Sequence, residues 1–218
     1  MKDTNRIVGL LNALIGKGLL ERNGFNLTSF PKRMVLLPFW YVLTLVFSVF
    51  DLLFLGEAMT FLLRVSSKST RRLTHVELEK LEALRPSDKQ FLASITVIED
   101  AWLSKLGCWL TRRKSLGLGV AKTVHFSRKI DTSLSSDLGW LVHELAHTLQ
   151  YNYRGLIYIP EALIAQYFSG YDFGGKQSLD EQTVLKAFNP EQQVEIFRHL
   201  LLSNYPSPLQ REIIHGKW

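Results

Sequence analysis

The residues most suited to chemistry are His143, Glu144 and His147, which form a His-Glu-x-x-His motif. On an α-helix, residues four apart differ by about 40° of rotation and about 6 Å of rise, so both histidines project from one face and can share a metal ion. In metallopeptidases with this motif, the glutamate is the general base that takes a proton from a water at the metal. The spacing therefore predicts a zinc site with Glu144 as its catalytic residue.

The stretch around this motif is apolar on most of its helical circumference, because the residues between Leu138 and Leu149 are mainly Leu, Val and Ala. Such a pattern predicts a helix buried on several sides. Ser135, Ser136 and Asp137 are candidate caps, and Gly155 is expected to end the helix. The alternative to a metal site is a core helix whose histidines only make hydrogen bonds.

Catalytic zinc sites use three protein ligands and leave the fourth position for water. Glu161 is the favoured third ligand, because it lies in the first turn of the next predicted helix, after Pro160, and a turn can fold that helix back onto the first. Glu191, in the first turn of a later helix that starts at Pro190, is the other candidate. Either glutamate could instead be an ordinary acid stabilised by the helix dipole.

The composition limits the function classes. The 218 residues are enough for one domain with an appendage, and the only cysteine, Cys108, excludes an intrachain disulfide. The net charge is +6, but the Lys and Arg residues do not form one long tract interleaved with aromatic residues. Anionic lipid headgroups are therefore a better expected partner than nucleic acid.

The first 72 residues are expected to form a membrane-associating segment. Residues 1–30 have the pattern of an amphipathic basic helix, and residues 34–50 carry no charge before Asp51 interrupts the run. Basic residues flank both ends, so an in-plane hairpin is as reasonable as one crossing. The alternative is a buried core helix with a partner hairpin.

A second domain is expected over residues 73–218, in the α+β class. A capping box at Thr74 and Glu77 opens its first helix. Residues 95–98 and 120–126 have the pattern of strands, with His125 facing solvent or a cleft, and residues 112–114 and 117–119 have that of a loop. Further helices are expected over residues 178–188 and 190–203, the latter with Asn189 as its N-cap.

Three segments of this domain together resemble zincin-like metallopeptidase domains found near bacterial contractile injection systems and Rhs or VgrG-type proteins. They are Leu141–His147 with Gln150 and Tyr151, Tyr158–Gln166, and Phe188–Gln193. The resemblance implies a mainly helical zincin-like domain with a short β-sheet over the active-site helix. The chain departs from the metzincin pattern, because Tyr153 stands where a third histidine would be.

These observations predict a zinc metallopeptidase, associated with a membrane that the resemblance implies is the bacterial inner membrane. Its expected partners are a peptide or protein substrate, membrane lipids and a secretion-system component, and no nucleic acid. The alternative function is a zinc-stabilised adaptor of a secretion or injection assembly that cleaves nothing. Candidate donors to a developing oxyanion are Tyr151, Tyr153, Tyr158 and His199.

Overall fold

A computed structural model describes residues 30–67, 69–168, 170–181 and 185–203, together with Ile7, Leu10, Leu11 and Ile213. The described chain is mostly helical with one small mixed sheet, which confirms the predicted α+β class. The amphipathic helix expected over residues 1–30 lies outside the described residues, apart from three helical positions.

In the described part of residues 30–203, two helices precede the four strands, three helices lie between strands, and four helices follow them. The helices are α1 Phe30–Leu52, α2 Leu55–Val65, α3 His75–Leu84, α4 Lys89–Ser94, α5 Trp102–Thr111, α6 Ser135–Arg154, α7 Tyr158–Phe168, α8 Gly175–Glu181 and α9 Pro190–Ser203. The strands are β1 Thr70–Arg72, β2 Thr96–Ile98, β3 Gly117–Val120 and β4 Thr123–Phe126. Short 3₁₀ turns are formed by Pro86–Asp88, Gly155–Ile157 and Leu185–Ala187.

The four strands form one sheet in the order β1-β2-β4-β3. Strand β2 runs parallel to β4, while the outer strands β1 and β3 are each antiparallel to their neighbour. The segment Gly117–Gly119, which the sequence placed in a loop, is therefore part of an edge strand that pairs with β4 through a tight turn at Ala121. The sheet also begins before residue 73, because β1 precedes it.

Helix α6 is the centre of the core. Its buried apolar side chains pack against β3 and β4 on one side and against α9 on the other. Gly155, at φ 72°, ends the helix as predicted. The predicted cap is wrong: the helix begins at Ser135, and Asp137 instead accepts hydrogen bonds from the Asp131 backbone (2.9 Å) and from Arg128 (2.6 and 2.8 Å).

Two other local predictions have clear outcomes. The capping box of α3 is confirmed, since Glu77 N–H donates to Thr74 Oγ1 (3.3 Å) and Thr74 N–H donates to Glu77 Oε2 (2.7 Å). His125, expected to face solvent or a cleft, is instead buried in β4, with Nε2 2.9 Å from Thr123 Oγ1. Burial lowers the pKa of His125 to about 4, so this imidazole is neutral at pH 7.

The apolar segment folds as the bent pair α1 and α2, and the chain turns at Phe54, whose φ is 57°. No single described helix is both long and apolar enough to cross a membrane, whereas Tyr41–Leu52 and Leu55–Val65 meet the criterion together at an angle of 68°. The pair packs on the following domain, because Phe47 contacts the cluster around Tyr151 and Tyr158. The described part of residues 1–72 is thus in direct contact with the helix of the candidate site.

Candidate metal centre

Helix α6 presents the His-Glu-x-x-His motif at its middle, between the edge strand β3 and helix α9. The rings of His143 and His147 are 5.1 Å apart between centroids and lie nearly edge to face. The side chain of His143 is 14% exposed, that of His147 is 10% exposed, and Glu144 is buried. The pair therefore faces a narrow opening rather than a sealed core.

Helix α9 supplies the carboxylate that faces this pair. Its start is fixed by a reciprocal cap, in which Gln192 N–H donates to Asn189 Oδ1 (2.9 Å) and Asn189 N–H donates to Gln192 Oε1 (3.0 Å). The predicted cap at Asn189 is confirmed. With the first turn held in this way, buried Glu191 points its Oε2 at both histidines, 3.7 Å from His143 Nε2 and 3.6 Å from His147 Nε2.

These distances fit a shared cation better than direct hydrogen bonds. Ligands bound to zinc at 2.0–2.1 Å in a tetrahedron are separated by about 3.4 Å. The three ligand atoms of His143, His147 and Glu191 all lie within 4.8 Å of one another. Glu191 Oε2 is buried, and among the described residues no donor lies within hydrogen-bonding distance of it. A buried carboxylate oxygen directed between two imidazole nitrogens is the donor set that zinc takes.

A second layer of hydrogen bonds sets the tautomer of each histidine. His143 Nδ1 lies 2.8 Å from Glu195 Oε1, and His147 Nδ1 lies 3.0 Å from Gln150 Oε1. The Gln150 amide nitrogen donates to the Pro190 carbonyl (2.9 Å), which directs its oxygen towards His147. Because both partners of the imidazoles are acceptors, each Nδ1 carries a hydrogen, and Nε2 is the ring nitrogen that is left to face Glu191 and to bind a metal.

Glu161, the favoured third ligand in the sequence analysis, does not join this group. It is buried in α7, and its Oε2 accepts a hydrogen bond at 3.0 Å from Arg154 Nη1, in the last turn of α6. Helix α7 does follow α6 closely, and its first residue, Tyr158, lies near His147. Glu161, however, pairs with Arg154 in the last turn of α6 instead of facing the two histidines. The geometry therefore selects Glu191, the second candidate, in place of Glu161.

The electrostatics of the pocket favour a positive charge between the three side chains. Burial lowers the pKa of His147, but the carboxylates of Glu191 and Glu144 and the bond to Gln150 outweigh it and raise that pKa to about 9. Burial also raises the pKa of Glu195, yet the bond from His143 and nearby positive charges bring it below its usual value. Glu195 is therefore ionised and supports a cation at the imidazoles.

Glu144 lies against the edge strand rather than among the ligands. Its carboxylate accepts a hydrogen bond from the Gly119 backbone N–H. A Cβ atom at Gly117 would lie 2.7 Å from the Glu144 Cδ, so glycine is needed for the carboxylate to lie against the strand. Burial raises the pKa of Glu144, although the nearby His143 and His147 oppose the shift. A carboxylate whose pKa is moved towards neutrality suits a general base.

Gly119 makes the close approach of α6 to β3 possible, and its replacement has a predictable cost. A Cβ atom there would collide with the Glu144 carbonyl oxygen and lie 2.9 Å from the His147 Cβ. Because both obstacles are on the helix backbone or next to it, Gly119→Ala should lower the free energy of unfolding by about 1–3 kcal/mol and weaken zinc binding. Denaturant unfolding and zinc titration measure both effects. Ser115→Ala, an exposed change just before β3, should leave both unchanged.

Tyr171, which the sequence analysis did not single out, borders the opening. Its ring centroid is 5.9 Å from that of His143, and its hydroxyl oxygen accepts hydrogen bonds from Gln166 and Arg113. Burial and the nearby carboxylate of Glu191 raise its pKa to about 12, so it stays protonated. Since both partners donate to the oxygen, the hydroxyl hydrogen is left to point towards a third group.

The four oxyanion donors considered from sequence have other surroundings. Tyr153 O–H donates to Asp88 Oδ1 (2.7 Å) in a network with buried Arg85, and Tyr158 O–H donates to the Gly119 carbonyl. Tyr151 is buried against the bend between α1 and α2, and His199 stacks near Phe173. None of these contacts directs a donor to the opening between the histidines.

Two signals in the sequence could have favoured Glu191 and identified Glu195 and Tyr171, which the sequence analysis missed. Glu191 and Glu195 are four residues apart on α9, the same spacing as the two histidines on α6. The two carboxylates therefore lie on one face of α9 and can both face the histidines. The loop around Tyr171 follows α7 with glycines at 170, 174 and 175, which is typical of a chain that turns across a site.

Comparisons with known proteins add no relative: no family model, no curated protein and no solved structure matches the chain. The geometry of the site is therefore the basis on which a function can be inferred.

Proposed function

We propose that the protein is a zinc-dependent metallopeptidase with a zincin-like domain, in which His143, His147 and Glu191 hold the metal and Glu144 is the general base. The observation that carries this proposal is the buried Glu191 Oε2, 3.6–3.7 Å from both imidazole nitrogens. The chemistry of the donor set, two neutral imidazoles and one carboxylate with an opening on one side, is that of a catalytic zinc site.

Zinc bound at these residues would supply Lewis acidity, which polarises the scissile carbonyl and makes water more acidic. Glu144 accepts a proton from the attacking water as its oxygen bonds to the carbonyl carbon. Glu144 then donates that proton to the amide nitrogen as the carbon–nitrogen bond breaks, and the amine leaves. Both transfers are favoured by a carboxylate whose pKa is raised by burial. Glu195 and Gln150 hold the imidazoles in position throughout.

Tyr171 is placed to donate its hydroxyl hydrogen to the oxyanion that develops on the carbonyl oxygen. Tyr171→Phe should therefore lower kcat about 10²-fold with little change in KM and no change in zinc content, because the donor acts on charge formed in the transition state. Steady-state kinetics on a cleaved peptide, with zinc analysis, measure this. Unchanged kcat would contradict the role, and Tyr41→Phe, on α1, is the matched control.

The zinc-stabilised adaptor remains the alternative function. It requires the same three ligands, but it has no use for a buried acid beside them or for an open side. The position of Glu144 at the Gly119 N–H and the partial exposure of His143 therefore favour catalysis.

Membrane association is supported by the apolar pair α1 and α2. We propose that the protein lies at the bacterial inner membrane, with a secretion-system component as a further partner.

Metal analysis of the purified full chain tests the proposal. We expect about one zinc per chain, lost in His147→Ala, together with cleavage of a broad peptide library by the wild type only. A chain that binds no transition metal after gentle purification would overturn the site. Zinc binding without any cleavage would leave the site and favour the adaptor.

A further inference from the structure

Helix α5 carries an apolar face that the protein leaves exposed. Trp102, Leu106, Trp109 and Leu110 are 50%, 43%, 75% and 66% exposed, respectively. Their spacing of four, three and one residues places them on one side of the helix. The opposite side of α5 is in contact with the protein, with Ser104 fully buried. A folded domain seldom leaves two tryptophans of one helix in water without a use for them.

The exposed face of α5 continues onto α2. Trp102 Nε1 donates to Ser66 Oγ at 3.3 Å, which joins the start of α5 to the end of α2. On α2, Phe61, Leu62 and Val65 are each at least 65% exposed. We call the exposed apolar side chains of these two helices the α2/α5 surface. It combines aromatic and aliphatic groups from two segments that are far apart in the sequence.

Positive charge borders this surface. The segment from residue 101 to residue 130 contains seven Lys or Arg residues and no Asp or Glu, so it alone exceeds the net charge of the whole chain. Arg112, Arg113 and Lys114 are exposed and follow directly after the last turn of α5. Lys105, within α5, is also exposed and pairs with Asp100 at 3.2 Å. The basic cluster Arg112–Lys114 thus lies at the end of the apolar face.

We propose that the α2/α5 surface docks onto a bilayer that contains anionic lipids. Ten residues of α5 span about 15 Å, too short to cross a membrane, so the helix lies in the plane of the interface. Tryptophan favours the headgroup level, the aliphatic side chains enter the upper acyl region, and the basic cluster meets lipid phosphates. This adds a second contact and a lipid class to the membrane association proposed above, and it is independent of the metal site.

Docking in this way brings the metal centre close to the membrane. Arg113 donates a hydrogen bond to the Tyr171 hydroxyl, and the Tyr171 ring is 5.9 Å from the His143 ring. The basic end of the α2/α5 surface is therefore two side chains away from the candidate ligands. Peptide segments close to the bilayer surface are the substrate class that this arrangement would reach, and this step alone rests on the proposed function.

A single label on the exposed face gives a direct test: Cys108, the only cysteine, lies on the protein-facing side of α5, so Leu106→Cys is introduced in a Cys108→Ser background. The full chain labelled there with an environment-sensitive fluorophore is mixed with phosphatidylcholine vesicles, with or without phosphatidylglycerol. We expect a blue shift with the anionic vesicles, quenching by lipid-attached quenchers, and a smaller response to neutral vesicles or in high salt. No shift at the Leu106→Cys position while the chain binds the vesicles elsewhere would overturn the proposal.

Variants separate this surface from other occupants and from the metal site. The double change Trp109→Glu and Leu110→Glu should abolish the shift, and Arg112→Glu with Lys114→Glu should remove the preference for anionic lipid; both should keep bound zinc. Val76→Glu, an exposed apolar residue on α3, is the matched control and should behave as wild type. A Trp109-dependent dimer, or binding to an acidic protein without vesicle binding, would contradict the membrane as occupant. Absence of zinc from the wild type would overturn the proposed metallopeptidase but not the proposed docking of the α2/α5 surface.

Discussion

Glu191→Gln is expected to weaken zinc binding more than about 100-fold, whereas Glu161→Gln should leave it unchanged. The glutamine keeps the size of the side chain but removes the negative charge that faces His143 and His147. That charge compensates the positive metal in a buried pocket, and an amide oxygen does so poorly. The change therefore acts on the ligand set and not on the packing of α9.

Competition titration with a chromophoric zinc chelator measures this difference, and thermal unfolding shows whether each variant is folded. Glu161→Gln is the matched control, because it is the same substitution at an equally buried acid whose described partner is Arg154. Some loss of stability is expected there, since Arg154 loses a charged partner, but not a loss of zinc. Should Glu161→Gln lose the metal while Glu191→Gln keeps it, the arrangement of α6 and α9 described above would be incorrect.

The choice between Glu161 and Glu191 shows which features of the site can be predicted from the sequence. Local chemistry predicts both helix starts, because Pro160 and the Asn189-Pro190 pair act within a few residues. Which helix then lies against the motif depends on tertiary packing. Glu191 of α9 faces α6 at the motif, whereas Glu161 of α7 meets α6 at Arg154, in its last turn. Proximity in sequence favoured α7, since nothing in the local pattern encodes where a distant helix returns.

In the edge strand β3, too, tertiary packing outweighs the local preference of the sequence. Gly117, Leu118 and Gly119 have low intrinsic preference for strands, and the sequence placed them in a loop. In the structure the two glycines face α6 and let Glu144 approach the strand, so the residues that weaken the local strand signal are the ones the site requires. Buried His125 has a similar cause, because alternation predicts one exposed face, while β4 lies inside the sheet and is covered on both sides.

The apolar segment and the candidate site are linked through packing. Phe47 of α1 contacts the cluster of Tyr151 and Tyr158, and the Tyr158 ring is 6.1 Å from the His147 ring. Tyr158 also donates to the Gly119 carbonyl, the same residue whose N–H binds Glu144. A change in how α1 packs would therefore reach both a ligand and the base through two neighbouring side chains.

Glu144→Gln is expected to lower kcat about 10²–10⁴-fold while zinc content stays at the wild-type level. The amide oxygen can still accept the hydrogen bond from the Gly119 N–H, so the fold and the contact with β3 are kept. What the variant loses is the ability to take a proton from water and return it to the leaving amine. Peptide cleavage at saturating zinc, measured beside metal content and unfolding temperature, isolates this loss.

Glu195→Gln is the control for Glu144→Gln, because it removes a carboxylate that supports a ligand without touching the reacting water. It should weaken zinc binding about 10–100-fold, and its cleavage activity should recover when zinc is added in excess. Activity of Glu144→Gln should not recover, since the metal is already present. Full turnover by Glu144→Gln would contradict its role as base. Equal inactivity of wild type and variant, each with one zinc bound, would instead favour the adaptor, in which the buried acid beside the ligands takes part in no reaction.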